Sequence, residues 1–387
     1  MAWDPERWRH DSVRDFLVEW AARDLDPSFA EEIAGILEEY YRLGFTRRPE
    51  HLVQARRGQP VQYSWFSHEH HGDEAGRRLE AYAALARRVQ EIYEELPEAR
   101  KDAFFQLVLY PVQCAALMNE KVLCADKSMR HAAAGRASAR DYARRARAAA
   151  ERIIELTEHY NTGLVTAGDK WRYMMSWAPG PWGGQRHQFE MPALSDFDGL
   201  GPPRLEVAPE GGAADRLAGL SVYPQGERFI DLFNQGKGEI RWSATSPQEW
   251  IRISESSGSF ATEQRLRVGI DWERAPVGAE VEGEIRFESN GGSARVVVPV
   301  CNPSSPAREA VRGFVESNGC VSMEAEHFSR KRDREGAGWK VVGGLGRSGD
   351  AVTILPATVA SQTSPEAMRA RSPVLEYDLH LLSLIHI

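Results

Sequence analysis

Cysteine is scarce in this chain. Four occur in 387 residues, Cys114, Cys124, Cys301 and Cys320, and no two stand at CxxC spacing. That pattern gives neither a zinc knuckle nor a thiol–disulfide motif. Cys114 and Cys124 fall in one predicted helix, too far apart along its axis to bridge. Long apolar runs are also missing. The most apolar stretch, AFFQLVLYPVQCAALM from Ala103 to Met118, contains Gln106, Pro111 and Gln113. It is shorter than the ~20 residues a membrane span requires, so no membrane partner is expected. The opening MAWDPERWRHDS has no apolar signal core, and the compartment is left unassigned. Nor is there an excess of positive charge: 48 Lys and Arg against 56 Asp and Glu give a net charge of −8. A nucleic-acid binder needs a basic footprint, so no nucleic-acid partner is expected. The run RDYARRARAAAER from Arg140 to Arg152 reads as the wet face of a helix. No serine is framed by a GxSxG-like elbow, and GGLGRSGD from Gly343 to Asp350 lacks the Lys-Ser/Thr of a phosphate loop and reads as a turn. No cofactor is expected.

What is present is a globular balance, 42% hydrophobic and 27% charged, long enough for two or three domains with their own cores. Up to about Asn161 the pattern is helical. Asp26-Pro27 is an N-cap followed by proline at the first helical position, and the helix it opens is expected to close at Gly44. From Asp73 a second helix carries Leu79, Tyr82, Leu85, Ala86, Val89, Ile92, Tyr93 and Leu96 at helical spacing and stops before Pro97. A third begins at Pro97, with a kink expected at Pro111. A fourth starts near Ser138 and breaks at Asn161-Thr162-Gly163. Long helices with short connections predict a bundle. From about Gly199 the period changes to two. GLGPPRLEVAPEGG reads as a linker, and FIDLF, EIRWSA, WIRIS, RLRVGIDW, EGEIRFES and ARVVVPV read as the strands of an immunoglobulin-like sandwich. After a second linker, CNPSSPAREA, further short runs begin another all-β module.

Three sets of residues invite a chemical reading. His68, His70 and His71 lie in SWFSHEHHGDE among acidic residues, the composition of a zinc or iron site. Their spacing is poor for one ion, because His71 would point away from His68 and His70 on a strand. A polar lead-in to the helix that Asp73 caps, with Glu74 in its first turn, is the preferred reading. Glu324 and Glu326, on one face of an expected strand, lie only ~7 Å apart with nothing flanking a bond between them, a poor catalytic pair. Ion binding there ranks below simple surface pairing. Trp242, Trp250 and Trp272 alternate with charge along strands and are expected in the core or a seam. No catalytic, cofactor-binding or metal residue is assigned.

One segment carries a resemblance. AGDKWRYMMSWAPG, Ala167 to Gly180, together with the preceding YNTGLVT, resembles the exit from the helical domain of glycoside hydrolase family 115, the xylan α-1,2-glucuronidases. MAWDPERW resembles that family's exit from its catalytic barrel, and YYRLGFTRRPEHL and FFQLVLYPVQCAALMNEKV resemble its helical domain. DLFNQGKGEIRWSATSPQEWIRIS and GCVSMEAEHF resemble its β-sandwich and the start of its C-terminal module. The resemblance implies an inverting hydrolase that removes glucuronic or 4-O-methylglucuronic acid from xylan, with carboxylates on a barrel upstream of anything matching Met1. This chain would then be a C-terminal accessory portion, inactive alone, meeting glucuronoxylan through its full-length parent and contributing homodimer contacts. That parent would be secreted or periplasmic. The alternatives are a free-standing carbohydrate-binding or scaffolding protein and a small metalloprotein that uses the histidine cluster.

The expected organisation is a helical bundle over 1–170, a connector and linker over 171–224, an immunoglobulin-like sandwich over 225–302 and a truncated β-sandwich module over 313–381. The closing LSLIHI, 382–387, breaks the alternation of VLEYDLHL and back-translates to a transposon-end sequencing adaptor, so it is expected to be an artefact. An unfinished module would leave apolar residues exposed among Val352, Ile354, Leu375, Tyr377 and Leu379.

Overall fold

The structure is a computed structural model that describes residues 4, 6–8, 12–52, 66–164, 175, 191–213, 215–346 and 349–382. Helices come first and several β-sheets follow. The chain divides into two compact units. The first takes Met1–Glu206, Phe233–Ile240 and Phe260–Glu263; the second takes Val207–Leu232, Arg241–Ser259 and Gln264–Ile387.

The first unit is built on α1 (Val13–Asp24), α2 (Ala30–Thr46), α3 (Glu74–Glu95), α4 (Glu98–Phe104), α5 (Tyr110–Ala133) and α6 (Ala139–Thr162). Residues spaced for one helix face meet in a common core: Leu17 and Ala21 of α1, Ile33 and Leu37 of α2, Tyr82, Val89 and Ile92 of α3, and Leu156 of α6. Each large side chain taken out of water there contributes roughly 1.5–3 kcal/mol.

Where this unit departs from expectation, a backbone group decides the outcome. Asp26 does cap, accepting from Ser28 N at 2.8 Å, but the turn it opens, Pro27–Phe29, is 3₁₀, and α2 begins at Ala30. Gly44 does not close α2, which runs on to Thr46 because a guanidinium from α3 takes up its last carbonyls. The long helix through Pro111 is interrupted earlier than the proline, by a π-helical turn over Phe105–Leu109. Proline has no N–H for the carbonyl of Leu107 and its ring would press on that carbonyl. The wider turn relieves both.

The β strands are β1 (Leu205–Pro209), β2 (Leu220–Ser221), β3 (Arg228–Asn234), β4 (Ile240–Thr245), β5 (Ile251–Ile253), β6 (Ser257–Phe260), β7 (Glu263–Ile270), β8 (Gly278–Ser289) and β9 (Gly292–Asn302). They form a four-stranded sheet in the order β1-β3-β7-β5 and a five-stranded sheet in the order β2-β9-β8-β4-β6. Asn290-Gly291 turns β8 into β9, with Ser289 opposite Gly292. β4 shows the period of two most clearly: Ile240, Trp242 and Ala244 are buried while the residues between them are exposed. Three strands were hidden in the sequence, among them β2, a two-residue strand inside the connector and linker expected over 171–224. β1 lies inside the expected linker, where its LEVAP carries buried Leu205. β6 is Ser/Gly-rich, without the branched and aromatic side chains that mark a strand.

The remaining elements are β10 (Phe314–Val315), β11 (Arg330–Arg332), β12 (Gly338–Val342), β13 (Ala351–Leu355), α7 (Pro365–Arg371), β14 (Val374–Glu376) and β15 (Leu379–His380). Its strands pair only two by two, β10 with β15, β11 with β14 and β12 with β13. α7, opened by the Ser364 hydroxyl accepting from Ala367 N at 3.1 Å, was not expected in an all-β module. Among the described residues after Gly313, Ala337 is the one hydrophobic residue among the buried core residues. Leu379 is 49% exposed, and Val352, Ile354, Leu375 and Tyr377 are half-buried. Residues 383–387 of the closing hexapeptide, and most of Ala167 to Gly180, lie outside the described residues.

Candidate functional site

The histidine-rich lead-in folds as a turn, not as the strand on which its spacing was judged. The Ser67 hydroxyl accepts from the backbone N–H groups of Glu69 at 3.2 Å and His70 at 2.9 Å. His71, Gly72 and Asp73 all take positive φ, which brings the chain round to the start of α3. There Asp73 accepts from Gly76 N at 2.8 Å, as an N-cap should, and Glu74 reaches back to Ser67 N. The three imidazoles do not converge: His70 and His71 are exposed, whereas His68 is 6% exposed. His68 Nε2 lies 3.2 Å from Asp126 Oδ2 on α5 but off the direction of a hydrogen bond, and Arg130 Nε meets the same oxygen at 3.0 Å. Among the described residues no group of three or more His, Cys, Asp or Glu side chains is placed to hold a metal ion.

The most highly organised polar centre was not singled out from sequence. Arg78, on α3, is 5% exposed. Its Nη1 donates to Leu43 O at 3.0 Å and Thr46 Oγ1 at 2.8 Å, its Nη2 to Arg47 O at 2.6 Å, and its Nε to Asn119 Oδ1 at 2.6 Å. Asn119 is fully buried on α5 and passes its own amide to Ala115 O at 2.8 Å. The guanidinium plane lies 4.7 Å from the Phe66 ring centroid and 5.0 Å from that of Tyr82. One side chain therefore caps α2, ties it to α3 and α5, and places a positive charge where the helix dipole is negative. A signal existed: Arg78 stands at i−4 from Tyr82, on the same buried stripe as Leu85 and Val89.

A second buried cluster joins serine, histidine and glutamate, the residue types of a hydrolytic triad. Ser138 Oγ donates to Glu263 Oε2 at 2.7 Å, so the 2.7 Å contact with His131 Nδ1 has the imidazole N–H donating to the hydroxyl. Tyr142 OH donates to the other Glu263 oxygen, and Lys127 Nζ lies 3.8 Å from it. As a nucleophile this serine is disabled twice. Its proton is already committed to a carboxylate rather than a base, and Ser138 is 1% exposed. The cluster fixes the start of β7 to the α5–α6 corner within the first unit. Nearby Asn234, fully buried, uses every polar atom: Oδ1 accepts from Arg204 N and Gly236 N, and Nδ2 donates to Gly238 O and Ala261 O. The NQGKGE loop is thus a closed turn; a side chain at Gly236 would run into the Pro202 carbonyl.

Glu324 and Glu326 do not share a strand. They precede β11 in an irregular segment, where Glu326 Oε1 accepts from Asp350 N at 3.0 Å and that backbone donor holds its carboxyl below the ordinary range. Trp242 and Trp250 are buried, and Trp242 donates to Gln264 Oε1 at 3.0 Å. Trp272 is half-buried. All four cysteines are free thiols, and burial pushes Cys114 up to about 12 and Cys124 up to about 11, which removes them as nucleophiles near neutrality.

Lys121 on α5 is 3% exposed, and burial lowers it to about 8 from an ordinary 10.5. Between those values the unfolded chain binds the extra proton, so this group's contribution to stability rises with pH through that window. The raised thiols of Cys114 and Cys124 act in the opposite direction above about pH 9. They are common to wild type and to Lys121→Met, so they cancel in the comparison. Relative to that variant, wild type should gain ~1 kcal/mol between pH 7 and pH 9 in urea unfolding followed by far-UV circular dichroism. Parallel curves for the two proteins would show that the ammonium is not desolvated.

Comparison with known proteins follows the same division. The family model described as glycosyl hydrolase family 115 matches residues 1–51, and that described as the glycosyl hydrolase family 115 C-terminal domain matches residues 313–386. No curated protein matches the chain. Among solved structures the chain is similar to a family GH115 4-O-methyl-α-glucuronidase with specificity for decorated arabinogalactans, at 19% identity and a TM-score of 0.38, over 76% of this chain. It spans 41% of the length of that protein. A PapD-like domain of human CEP192 is similar over 27% of this chain and 87% of its own, at 14% identity and a TM-score of 0.22. A Bacteroides ovatus GH5 xyloglucanase is similar over 27% of this chain and 20% of its own, at 16% identity and a TM-score of 0.20.

Proposed function

The chain is a partial member of glycosyl hydrolase family 115, and from that premise we propose that it is the C-terminal accessory portion of an α-glucuronidase acting on xylan. The single observation that carries this reading is the pair of family matches, 1–51 and 313–386, the later of them to the model of the family's C-terminal domain. The helical region over 1–170 would brace the catalytic barrel and border its cleft. The strands over 225–302, joined in their two sheets by β1 and β2, would form an immunoglobulin-like sandwich, and 313–381 an incomplete second one. Homodimer contacts would come from the same parts.

Inverting hydrolysis of a glucuronic or 4-O-methylglucuronic acid side chain needs a general acid and a general base ~6.5–9.5 Å apart, with room for water between them. The serine, histidine and glutamate that this chain does bring together are spent on holding its helices. The reading therefore assigns the reacting carboxylates to the barrel and gives this chain the tasks of support and of shaping the approach of a polysaccharide. The DNA upstream of the Met1 codon provides the test. An open frame encoding the end of a barrel is the expected result; a stop codon and ribosome-binding site directly before Met1 would instead favour a free-standing carbohydrate-binding or scaffolding protein.

A further inference from the structure

At the C-terminal end of α2 the surface of the first unit is hollowed into a cleft of about 700 Å³, lined by Tyr40, Tyr41, Gly44, Phe45, Arg48 and His51 among others. That volume suits two or three sugar rings. Tyr41 and Phe45, four residues apart on one helix face, are 56% and 54% exposed. Among the described residues they are the only Phe, Tyr or Trp side chains in the exposed class. Tyr40 packs beside Tyr41 with ring centroids 5.4 Å apart. Two large rings turned to solvent at i and i+4 forgo the burial, full or partial, that the other described aromatics have, and they present flat faces to whatever enters.

The floor and the charge of the cleft are equally particular. A Cβ placed on Gly44 would meet no heavy atom within 4 Å. Alanine would fit there and favour the helix, so the glycine leaves bare backbone between the two rings where a ligand can approach closely. Among the described side chains, the charged lining of the cleft is Arg47 and Arg48, with His51 beside them, in a chain whose net charge is −8. Arg47 is occupied, donating to His51 O at 2.9 and 2.7 Å, which pins the loop that carries Arg48 and His51. Arg48 is exposed on that pinned loop. Below, Arg78 holds the end of α2 in place. The platform is rigid, aromatic and cationic.

We propose that this cleft is a binding site for an acidic oligosaccharide: the apolar faces of its sugar rings stack on Tyr41 and Phe45, and a uronate carboxylate pairs with Arg48. The proposal deepens the reading of the chain as part of a glucuronidase and rests on it for the choice of glycan. It adds a site for holding the polysaccharide that is separate from any hydrolytic chemistry.

The test is titration calorimetry of the full chain with a glucuronic-acid-branched xylo-oligosaccharide and with the neutral xylo-oligosaccharide of the same length. The acidic sugar should bind with a Kd at least tenfold lower than the neutral one and should weaken several-fold from 50 to 300 mM NaCl. Tyr41→Ala and Phe45→Ala should each weaken it at least tenfold, and Arg48→Gln should bring the acidic sugar to the level of the neutral one. Gly44→Ala separates binding from folding, because it should raise the midpoint of thermal unfolding while weakening binding several-fold. Equal affinity for the two sugars, no saturable binding, or a concentration-dependent dimer abolished by Tyr41→Ala would overturn the proposal. If the complete polypeptide encoded by the open frame releases uronic acid while this chain binds neither sugar, the cleft assignment falls and the glucuronidase reading stands.

Discussion

Replacing Arg78 by methionine is expected to lower the unfolding free energy of the helical unit by about 3–5 kcal/mol, the range for breaking a buried charged network on one side. Methionine fills much of the volume between Phe66 and Tyr82 but offers no donor. The carbonyls of Leu43 and Arg47 and the amide oxygen of Asn119 are then left without this partner in a region closed to water. Arg78→Lys keeps the charge and loses the planar fork, since an ammonium cannot reach three acceptors fixed on two helices, and an intermediate loss of about 2 kcal/mol should follow. Urea unfolding followed at 222 nm measures both. The variants should also fray the last turn of α2 before global unfolding, because only the local Arg47 N–H and Thr46 hydroxyl bonds to Leu43 O would then remain among the bonds described at that end. A methionine variant within about 1 kcal/mol of wild type would mean that water replaces the guanidinium, and that the network is peripheral to stability.

In native-state hydrogen exchange, the amides of 313–382 are expected to exchange at least ~1,000-fold faster than those in the middle of β8 and β9, a difference of about 4 kcal/mol in opening free energy. β8 and β9 pair along almost their whole length and carry buried Ile285, Phe287, Val296, Val298 and Val300. The later segment has six described strands, but each pairs with one neighbour only, and Ala337 is its sole buried hydrophobic side chain among the described residues. An isolated two-stranded ribbon is marginal in water. Salt bridges such as Arg330 with Glu376 at 2.7 Å and Asp378 at 3.0 Å are largely exposed and contribute little. Equal protection in the two regions would show that the module possesses a core of its own.

These contrasts also explain what could be read from the sequence. The helices of the first unit were legible because their apolar positions recur at helical spacing and their caps are local: Asp73 does at the start of α3 what its position suggests. The strands from Phe229 to Val300, β6 apart, were legible because branched and aromatic residues alternate between turn residues. What escaped was set by contacts distant in sequence. Nothing near Gly44 says that α2 will continue two residues further, since the group that permits it is Arg78, more than thirty residues on. Arg78 looks like any solvated helix arginine until it is placed on the stripe with Tyr82. β1 was hidden by the prolines and glycines around it, although five residues suffice to extend the sheet through β3. His68 was suspected for the wrong reason: it is set apart by burial against Asp126, and the other two imidazoles play no part there. The aromatic cleft beside Gly44 was invisible as well, because exposure of Tyr41 and Phe45 is a property of the packed molecule rather than of YYRLGF.

The central claim is that this chain supports a glucuronidase without performing its chemistry, and the most direct measurement of it is uronic acid released from glucuronoxylan. Purified chain should release none above the blank at any concentration, while the complete polypeptide encoded by the open frame should release glucuronic or 4-O-methylglucuronic acid with inversion at the anomeric carbon, followed by proton NMR. Release by the chain alone, at a rate proportional to its concentration and unchanged by further purification, would contradict the account.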